Sequence, residues 1–416
     1  MPGQRWLLPA MLAGIILGAL GGWFLPQQMI ELAWLGQFFL DALKMLIVPL
    51  IITSMVTGIA QLGDIRKVGR TGVTVVVYYF ITTGMAVLLG IILVNIIRPG
   101  LGATWAGGEV PDVVRGKEAM GLVEIIRSFI SPNIMQAMTR MDILPLIVFS
   151  LIFGAVLTTV EFSKRDVVLS FFDGANQAIM KMVHLIMWLA PIGVLALVGS
   201  RLGEAGGGSG FLQELLRLGR YSLTVMLGLA IHGVVVLPLI LFLLARRNPW
   251  RYFLGMGQAL STAFSTASSS ATLPVTLDCA EENNKVSRRS ALFVLPIGAT
   301  INMDGTALYE SVAAIFIAQA TGHALGIGQQ ALIFITATLA AVGAAGIPQA
   351  GLVTMVIVLR AVGLPLEGIG MILAIDWFLD RCRTTVNVWG DAVGAAVIDR
   401  LEPPTGEIAA PHTERH

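Results

Sequence analysis

Apolar segments long enough to cross a lipid bilayer follow one another along almost the whole chain. Predominantly apolar runs cover residues 6–25, 33–60, 71–98, 132–160, 166–200 and 219–245. A spanning helix needs about 20 apolar residues, and each run reaches that length. Only 13% of the 416 residues are charged, whereas soluble domains carry about 25%. Because open strands leave backbone groups unpaired in lipid, the pattern predicts an all-α polytopic membrane protein.

The remaining composition excludes several other classes of protein. A formal net charge of +1 offers no basic excess to meet phosphates, so no nucleic-acid partner is predicted. Cys279 and Cys382 provide no disulfide framework and are expected to be small buried hydrophobes. The sequence contains neither an H-E-x-x-H metal motif nor a G-x-S-x-G nucleophile motif, which argues against an enzyme.

Basic residues in the short loops predict the orientation of the chain. They follow the second, fourth and sixth runs: Arg66, Lys67, Arg70, Lys164, Arg165, Arg246, Arg247 and Arg251. The first run is too long for a signal-peptide core and is expected to be retained. By the positive-inside rule, both termini and these loops are cytoplasmic, in a plasma (inner) membrane protein. Residues 206–210 are predicted to be a flexible external link and residues 401–416 a disordered cytoplasmic tail.

The last apolar segment, residues 366–398, carries a line of ionisable and amide groups. They are spaced by three or four residues and share a helix stripe about 80° wide: Asp376, Asp380, Arg383, Asn387 and Asp391. Charges at membrane depth are costly and normally line a substrate or ion path. Arg383 can bind a carboxylate with two parallel hydrogen bonds, and Asp380 can accept from an ammonium group. The alternative is that these two side chains only neutralise each other.

A second polar cluster, Asn302-Met303-Asp304-Gly305-Thr306, interrupts an apolar segment at 289–320. A mid-span glycine beside Asn and Asp predicts a locally opened helix, whose carbonyl and carboxylate oxygens suit a hard cation such as Na⁺. Glu310 follows among apolar neighbours. A buried carboxyl is costly to keep charged, so Glu310 is a candidate proton carrier. A static hydrogen-bonded glutamate is the alternative.

Two further apolar segments are broken by small and turn-forming residues. Ser265 to Pro274 interrupts the run at 253–281, and Ala341 to Gly351 interrupts the run at 327–361. Both are predicted to be re-entrant hairpins, which are the best sequence indication of a transporter binding site. Helix N-termini at such tips present unpaired N–H groups to a carboxylate. Two ordinary spans kinked at Gly or Pro are the alternative.

Four ordered motifs resemble one family: Ser268-Ser-Ser270-Ala-Thr-Leu-Pro274, Asn302 to Thr306, Gly343-Ala-Ala-Gly-Ile-Pro348 and Asp376 to Asp391. They are similar to the signatures of the dicarboxylate/amino acid:cation symporter family, which includes archaeal aspartate transporters and mammalian excitatory amino acid transporters. The resemblance covers nearly the whole chain. It implies a homotrimer in the lipid bilayer, with eight transmembrane helices, two re-entrant helical hairpins and an elevator mechanism.

The resemblance also divides the chain into a scaffold and a moving transport domain. Residues 1–70 form scaffold spans one and two, and residues 99–215 form the external loop and scaffold spans four and five. Span three, at 71–98, belongs to the transport domain together with residues 216–400, which hold span six, both hairpins, span seven and span eight.

Family roles are carried over to the matching positions as expectations. The substrate would contact Ser268, Ser269, Ser270, Thr306, Ile347, Gly351, Asp380, Arg383, Thr384 and Asn387. The first Na⁺ would bind to Asp391, Asn387, Asn302 and the carbonyl of Gly298. The second Na⁺ would bind near Met303, to the carbonyls of Thr300, Ala341, Val342 and Ala344. The third Na⁺ would bind to Asp304, Asn302, Tyr79, Thr82 and Thr83. Ile347 and Gly351 in hairpin two would form the external gate.

Three positions separate branches of the family. Archaeal members have an arginine in hairpin one, where this chain has Ala267, and lack one matching Arg381; the mammalian carriers have the arrangement seen here. Glu310 matches the acidic position linked to proton co-transport in those carriers, which favours H⁺ coupling and K⁺ counter-transport. Arg383 argues against the neutral amino acid branch.

The resemblance therefore implies Na⁺-coupled symport of L-aspartate or L-glutamate, which differ by one methylene and both fit the clamp. The alternatives are a proton-driven glutamate or C4-dicarboxylate symporter and, from another class, an anion channel.

Overall fold

The computed structural model describes residues 7–60, 65–101, 127, 129–140, 142–204, 208–342 and 350–401. In these ranges every regular element is helical, which confirms the all-α prediction. The α-helices are α1 (Leu7–Phe24), α2 (Pro26–Glu31), α3 (Ala33–Ala60), α4 (Ile65–Ile97), α5 (Ile134–Arg140), α6 (Ile143–Leu157), α7 (Phe162–Met187), α8 (Ala190–Glu204), α9 (Gly208–Ile231), α10 (Leu237–Ile240), α11 (Pro249–Gly255), α12 (Gly257–Thr266), α13 (Ser269–Asp278), α14 (Arg288–Ile301), α15 (Asp304–Ala320), α16 (Ile327–Val342), α17 (Ala350–Val362) and α18 (Ile369–Leu401). Three π-helical turns, His232–Val236, Leu241–Ala245 and Cys279–Asn283, and a 3₁₀ turn, Leu366–Gly368, complete this part of the chain.

Several of these helical stretches are long and apolar enough to cross a bilayer. Among the described residues they are Pro26–Ala60, Gly72–Ile97, Leu216–Ala245 and Arg288–Ala320, and shorter apolar helices cover Ala13–Phe24, Pro145–Leu157, Ala190–Ser200 and Ile327–Val342. On α4, large apolar side chains such as Ile81, Leu88 and Ile96 are exposed on the outer face. An apolar face of this kind is typical of contact with lipid, so the chain is an integral membrane protein.

Glycines let α1 approach α8 closely. Gly14, Gly18 and Gly22 repeat every four residues and face the α8 backbone. A methyl group on Gly18 would lie 2.6 Å from the carbonyl oxygen of Leu195, and one on Gly22 would lie 2.8 Å from that of Gly199. Small residues at fixed spacing are the usual device for tight helix packing in membranes, where hydrophobicity cannot drive association.

The structure corrects three boundaries expected from the sequence. The run at 166–200 is two helices, because α7 ends at Met187 and α8 begins at Ala190, with Pro191 in its first turn, where the missing N–H costs nothing. The run at 132–160 contains both α5 and α6. The glycine-rich stretch at 206–210 is not a free link throughout, since α9 begins at Gly208; residues 205–207 lie outside the described ranges, as do 102–126 and 402–416.

The two broken segments form separate helix pairs. Between α12 and α13, Ala267 takes a left-handed conformation with φ of 50°, and Ser268 caps α13 by accepting a hydrogen bond from the Ala271 N–H at 3.2 Å. In the second pair, α16 packs against α17. The tip between them, residues 343–349, lies outside the described part of the chain.

One polar region lies at the centre of the second half of the chain. The helix opens between α14 and α15 at Asn302 and Met303, as the sequence predicts, and all residues from Ile301 to Ala318 are buried. Helix α18 packs against α12, α14 and α15. The packing therefore places the polar stripe of α18 against the opened backbone.

Candidate functional site

Arg383 is the largest side chain among the fully buried residues of the described chain. Its Nη2 atom donates to Asp380 Oδ1 at 2.8 Å, and its Nη1 atom pairs with Asp376 Oδ1 at 3.1 Å. The guanidinium carbon lies 3.8 Å from the centre of the Tyr309 ring, a cation–π contact from α15. Arg383 Nε has no hydrogen-bond partner among the described residues, so the guanidinium keeps donor capacity for a ligand.

Helix α17 approaches the same guanidinium from the second helix pair. A methyl group on Gly351 would lie 3.0 Å from Arg383 Nη1 and 3.3 Å from Thr306 Cγ2. Thr384, one residue after Arg383, donates to the Asp380 carbonyl at 2.8 Å. Asp380, Arg383, Thr306 and Gly351, four of the residues predicted to contact the substrate, therefore come together from three helices.

Asn387 joins α18 to the opened segment. Its Oδ1 atom accepts from the Gly305 N–H at 2.8 Å, while its Nδ2 atom contacts Met303 Sδ at 3.2 Å and Thr306 Oγ1 at 3.3 Å. A methyl group on Gly305 would lie 2.7 Å from the Arg383 carbonyl oxygen. Glycine is needed here because the start of α15 lies directly on the α18 backbone.

A second group of oxygens surrounds Asn302. Its Nδ2 atom donates to Asp391 Oδ1 at 2.9 Å, and its Oδ1 atom accepts from Thr82 Oγ1 at 3.4 Å. Gly298 lies against this pair, since a methyl group there would be 2.5 Å from both Asp391 Oδ1 and the Tyr79 hydroxyl. Three of the four groups predicted for the first Na⁺ therefore lie together: Asn302, Asp391 and Gly298.

Asp304 is fully buried and has partners on two other helices. Its Oδ1 atom accepts from Thr83 Oγ1 at 2.7 Å, and its Oδ2 atom lies 3.0 Å from His232 Nε2. Tyr79, predicted for the same Na⁺ as Asp304, donates its hydroxyl to the Val294 carbonyl at 3.1 Å. The carboxylate is held by α4 and by the π-helical turn after α9.

Glu310 is also fully buried, and its Oε1 atom accepts a hydrogen bond from the Thr354 hydroxyl on α17. Its Oε2 atom has no hydrogen-bond partner in the described part of the chain. Glu310 thus connects α15 to the second helix pair through Thr354. On α17, Thr354 lies three residues after Gly351.

The first helix pair contributes Ser268 and Ser269, which are buried, and Ser270, which is exposed. Arg381 fixes this pair to α18 by donating from Nη1 to the carbonyls of Phe264 at 2.9 Å and Ser265 at 2.7 Å. These are carbonyls of the last turn of α12, which favour a cation. Arg381 thereby supports the turn that contains Ala267.

The remaining predicted ligands are placed in part. Ala341 and Val342 are buried at the end of α16, and Thr300 lies in the last turn of α14, which packs against α16. Ala344 and Ile347 fall outside the described residues. The predicted second Na⁺ site is therefore only partly described, and the tip of the predicted external gate lies outside the described residues.

Three residues contact the predicted site although the sequence predicts no ligand role for them. The sequence places Asp376 in the polar stripe without a specific role, and the structure pairs it with Arg383. His232 and Thr354 were missed, because an isolated histidine and a threonine in apolar runs give no signal by themselves. The π-helical turn at His232–Val236 could not be read from periodicity either.

Enclosed charged and amide side chains between long apolar helices, with an opened helix and two helix pairs around them, define a membrane transporter. The family model described as "Sodium:dicarboxylate symporter family" matches residues 7–401. The chain belongs to that family. It is a family of symporters, so the predictions that the chain is a transporter and not an enzyme are confirmed.

Similar proteins come from vertebrates and a nematode. Excitatory amino acid transporter 3 of Homo sapiens is 42% identical over 459 aligned positions, which cover 96% of this chain and 86% of that protein. Excitatory amino acid transporter 1 of Ambystoma tigrinum is 43% identical over 425 positions, covering 88% and 76%. An excitatory amino acid transporter of Caenorhabditis elegans is 40% identical over 450 positions, covering 95% and 87%.

Proposed function

We propose that this protein is a secondary active transporter that takes up L-aspartate or L-glutamate together with Na⁺. The observation that carries the proposal is the buried guanidinium of Arg383, which lies beside Asp380 and under Gly351. A fully buried arginine with unused donor capacity suits a ligand carboxylate, which can accept two parallel hydrogen bonds from it. The names of the similar transporters support the same class of substrate.

The substrate would lie between the two helix pairs. Arg383 binds its side-chain carboxylate and Asp380 its amino group. Thr306, Thr384, Asn387 and the Ser268–Ser270 segment bind the rest of the molecule, and Ile347 and Gly351 cover it as the external gate. The close approach of Gly351 to Arg383 supports this arrangement, because closing α17 would bring backbone groups onto the ligand.

Na⁺ is the proposed coupling ion, at three places. The oxygens around Asn302 and Asp391 suit one ion, the oxygens around Asp304 and Thr83 suit another, and carbonyls at the ends of α14 and α16 suit the third. Carboxylate, amide, hydroxyl and carbonyl oxygens are the ligands that hard cations prefer. The family's description as sodium symporters supports the choice of ion.

Proton co-transport through Glu310 and K⁺ counter-transport complete the proposed cycle. The bond from Thr354 to Glu310 supports the first part, because it connects the candidate proton carrier to the helix that carries the proposed gate. Loss of the proton would then change the contact between α15 and α17.

We further propose the architecture that the resemblance implies, namely a homotrimer of eight spans and two re-entrant hairpins in the plasma (inner) membrane, with cytoplasmic termini. Residues 1–70 and 99–215 would form the scaffold, and residues 71–98 and 216–400 would move as an elevator. The connection of α12 to α18 through Arg381 supports the last part, because hairpin one and the last span would move as one body.

Uptake into vesicles with each gradient imposed separately tests the function. We expect accumulation of labelled aspartate with an inward Na⁺ gradient and exchange of internal for external substrate. Accumulation driven by a proton gradient without Na⁺ would support a proton-driven symporter instead. A flux that neither saturates nor exchanges labelled aspartate would support a channel.

Arg383→Cys tests the carboxylate ligand. It removes charge-assisted hydrogen bonds worth about 1.5–3 kcal/mol each, so we expect at least a roughly 100-fold rise in the KM for aspartate. Neutral amino acids of similar size should gain uptake. Arg360→Cys, at an exposed position on α17, is the matched control. Normal aspartate affinity in Arg383→Cys would show that this arginine is not the ligand.

A further inference from the structure

Five exposed cationic side chains lie near one another at one end of the proposed transport domain. They are Arg246, Arg251, Lys285, Arg288 and Arg400, here called the basic face. None of the five forms an ion pair with another residue of the described ranges, although acidic side chains occur nearby at Asp278, Glu281 and Glu282. The five cations outnumber these three acids, so the region stays net positive.

Arg247 and Asp399 hold the segments of the basic face together. Arg247 Nη2 pairs with Asp399 at 2.9 Å and donates to the Lys285 carbonyl at 3.3 Å, and Nη1 donates to the Asn284 carbonyl. Asp399 also accepts from the Ser287 N–H at 3.1 Å. These bonds join Arg247, Asn284, Ser287 and Asp399 into one cluster, in which the charges of Arg247 and Asp399 cancel. Four of the exposed cations are sequence neighbours of a residue in this cluster: Arg246, Lys285, Arg288 and Arg400.

An apolar surface continues directly into the basic face. Phe242, Leu243 and Leu244 are exposed on the last turn before Arg246. Beyond it, Trp250 is 68% exposed and stacks on Phe253 at 6.2 Å. An exposed tryptophan between an apolar belt and a group of arginines is typical of the boundary between hydrocarbon and headgroups.

The length of α18 places the basic face at one end of a helix that can cross the membrane. Helix α18 runs for 33 residues, or about 50 Å at 1.5 Å per residue, which exceeds the roughly 30 Å hydrocarbon core. Arg360 precedes its start, and Arg400 lies in its last turn. The basic face therefore lies at one membrane surface, and the charge rule predicts the cytoplasmic one.

We propose that the basic face binds the headgroups of anionic phospholipids in the leaflet that it meets. Guanidinium groups bind phosphate with paired hydrogen bonds, and the charges of an anionic leaflet attract clustered Lys and Arg. Trp250 and the exposed leucines contact the adjoining acyl chains. The partner is a lipid and not a soluble anion, because the cations are exposed and border an apolar surface.

Thermal unfolding of the purified full chain in neutral detergent tests the proposal. Phosphatidylglycerol is titrated against phosphatidylcholine with the same acyl chains, and inorganic phosphate is a third arm. We expect phosphatidylglycerol alone to raise the unfolding midpoint, with an effect that added salt weakens. An equal rise with phosphatidylcholine or with inorganic phosphate would overturn the proposal.

Charge removal gives the sharper comparison. The variant R246Q/R251Q/K285Q/R288Q/R400Q should bind phosphatidylglycerol more weakly by about fivefold for each charge removed. The matched control R98Q/R127Q/R140Q/R220Q/R360Q removes five exposed arginines elsewhere and should respond like the unchanged protein. Equal responses in the two variants would overturn the proposal.

Two further variants test the proposal if the variant with five glutamine substitutions does not fold. R246K/R251K/R288K/R400K retains the charge and should retain most of the lipid response. R246Q/R288Q/R400Q should lose part of it. A lipid response that is the same in these two variants contradicts a role for the charges of the basic face.

Discussion

Arg383 pairs with Asp376, two turns earlier on the same helix, across 3.1 Å, while Asp380 binds its other terminal nitrogen at 2.8 Å. All three side chains are buried. The guanidinium is therefore held between two carboxylates of its own helix. A buried arginine without a partner would be costly, so these acids stabilise the protein when no carboxylate ligand is bound. A substrate carboxylate that binds the unused donors of the guanidinium then shares its positive charge with these two acids.

Asp376→Asn should make the protein more dependent on its substrate for stability. The substrate-free protein loses a counter-charge worth on the order of 1–3 kcal/mol, whereas a bound carboxylate replaces it. We expect a lower unfolding midpoint without aspartate and a larger aspartate-induced rise than in the unchanged protein. Thermal unfolding with and without aspartate measures both. Asp142→Asn, at an exposed acidic position, is the control.

An equal fall of both midpoints in Asp376→Asn would show that the substrate carboxylate does not replace the charge of Asp376. In that case the pair with Arg383 is purely structural, and Asp380 alone responds to the ligand.

The α18 part of the site could be predicted because it depends on local geometry. Asp380, Arg383 and Asn387 lie on one stripe for any α-helix with their spacing. The contacts of Asp304 with His232 and of Glu310 with Thr354 could not be predicted, since they join residues 72 and 44 positions apart. Which helices meet is decided by packing of the whole chain, and one sequence carries no pairwise signal for it.

Helix boundaries show the same division. The opening at Asn302 and Met303 was predictable, because Asn, Asp and Gly in an apolar run favour broken helix. The break between Met187 and Ala190 was missed, since Trp188 and Leu189 continue the apolar pattern. Hydropathy indicates which residues can lie in lipid, but it does not indicate where one helix ends and the next begins within an apolar run.

Glu310→Gln should flatten the pH dependence of aspartate uptake. The amide keeps an oxygen that can accept from the Thr354 hydroxyl, so the contact between α15 and α17 is preserved while the exchangeable proton is lost. The initial rate of uptake is measured across the pH range over which the unchanged protein varies.

Thr354→Val distinguishes the effect of the Glu310 proton from the effect of the hydrogen bond between Glu310 and Thr354. It removes the hydroxyl that bonds Glu310 but leaves the carboxyl, so pH dependence should persist with an altered midpoint. An unchanged pH profile in Glu310→Gln would leave Glu310 as a structural residue, as the sequence also allowed.

Asp304→Asn should raise the Na⁺ concentration required for transport. The carboxylate is fully buried between Thr83 and His232, and no basic side chain other than His232 contacts it within the described chain. Replacing the formal negative charge of Asp304 weakens the attraction of this position for a hard cation, so we expect at least a roughly tenfold rise in half-saturating Na⁺. Thermal unfolding measured during a Na⁺ titration, with choline holding the ionic strength constant, reports binding without requiring uptake. Asp142→Asn should titrate like the unchanged protein, and an identical curve for Asp304→Asn would remove Asp304 from the proposed Na⁺ ligands.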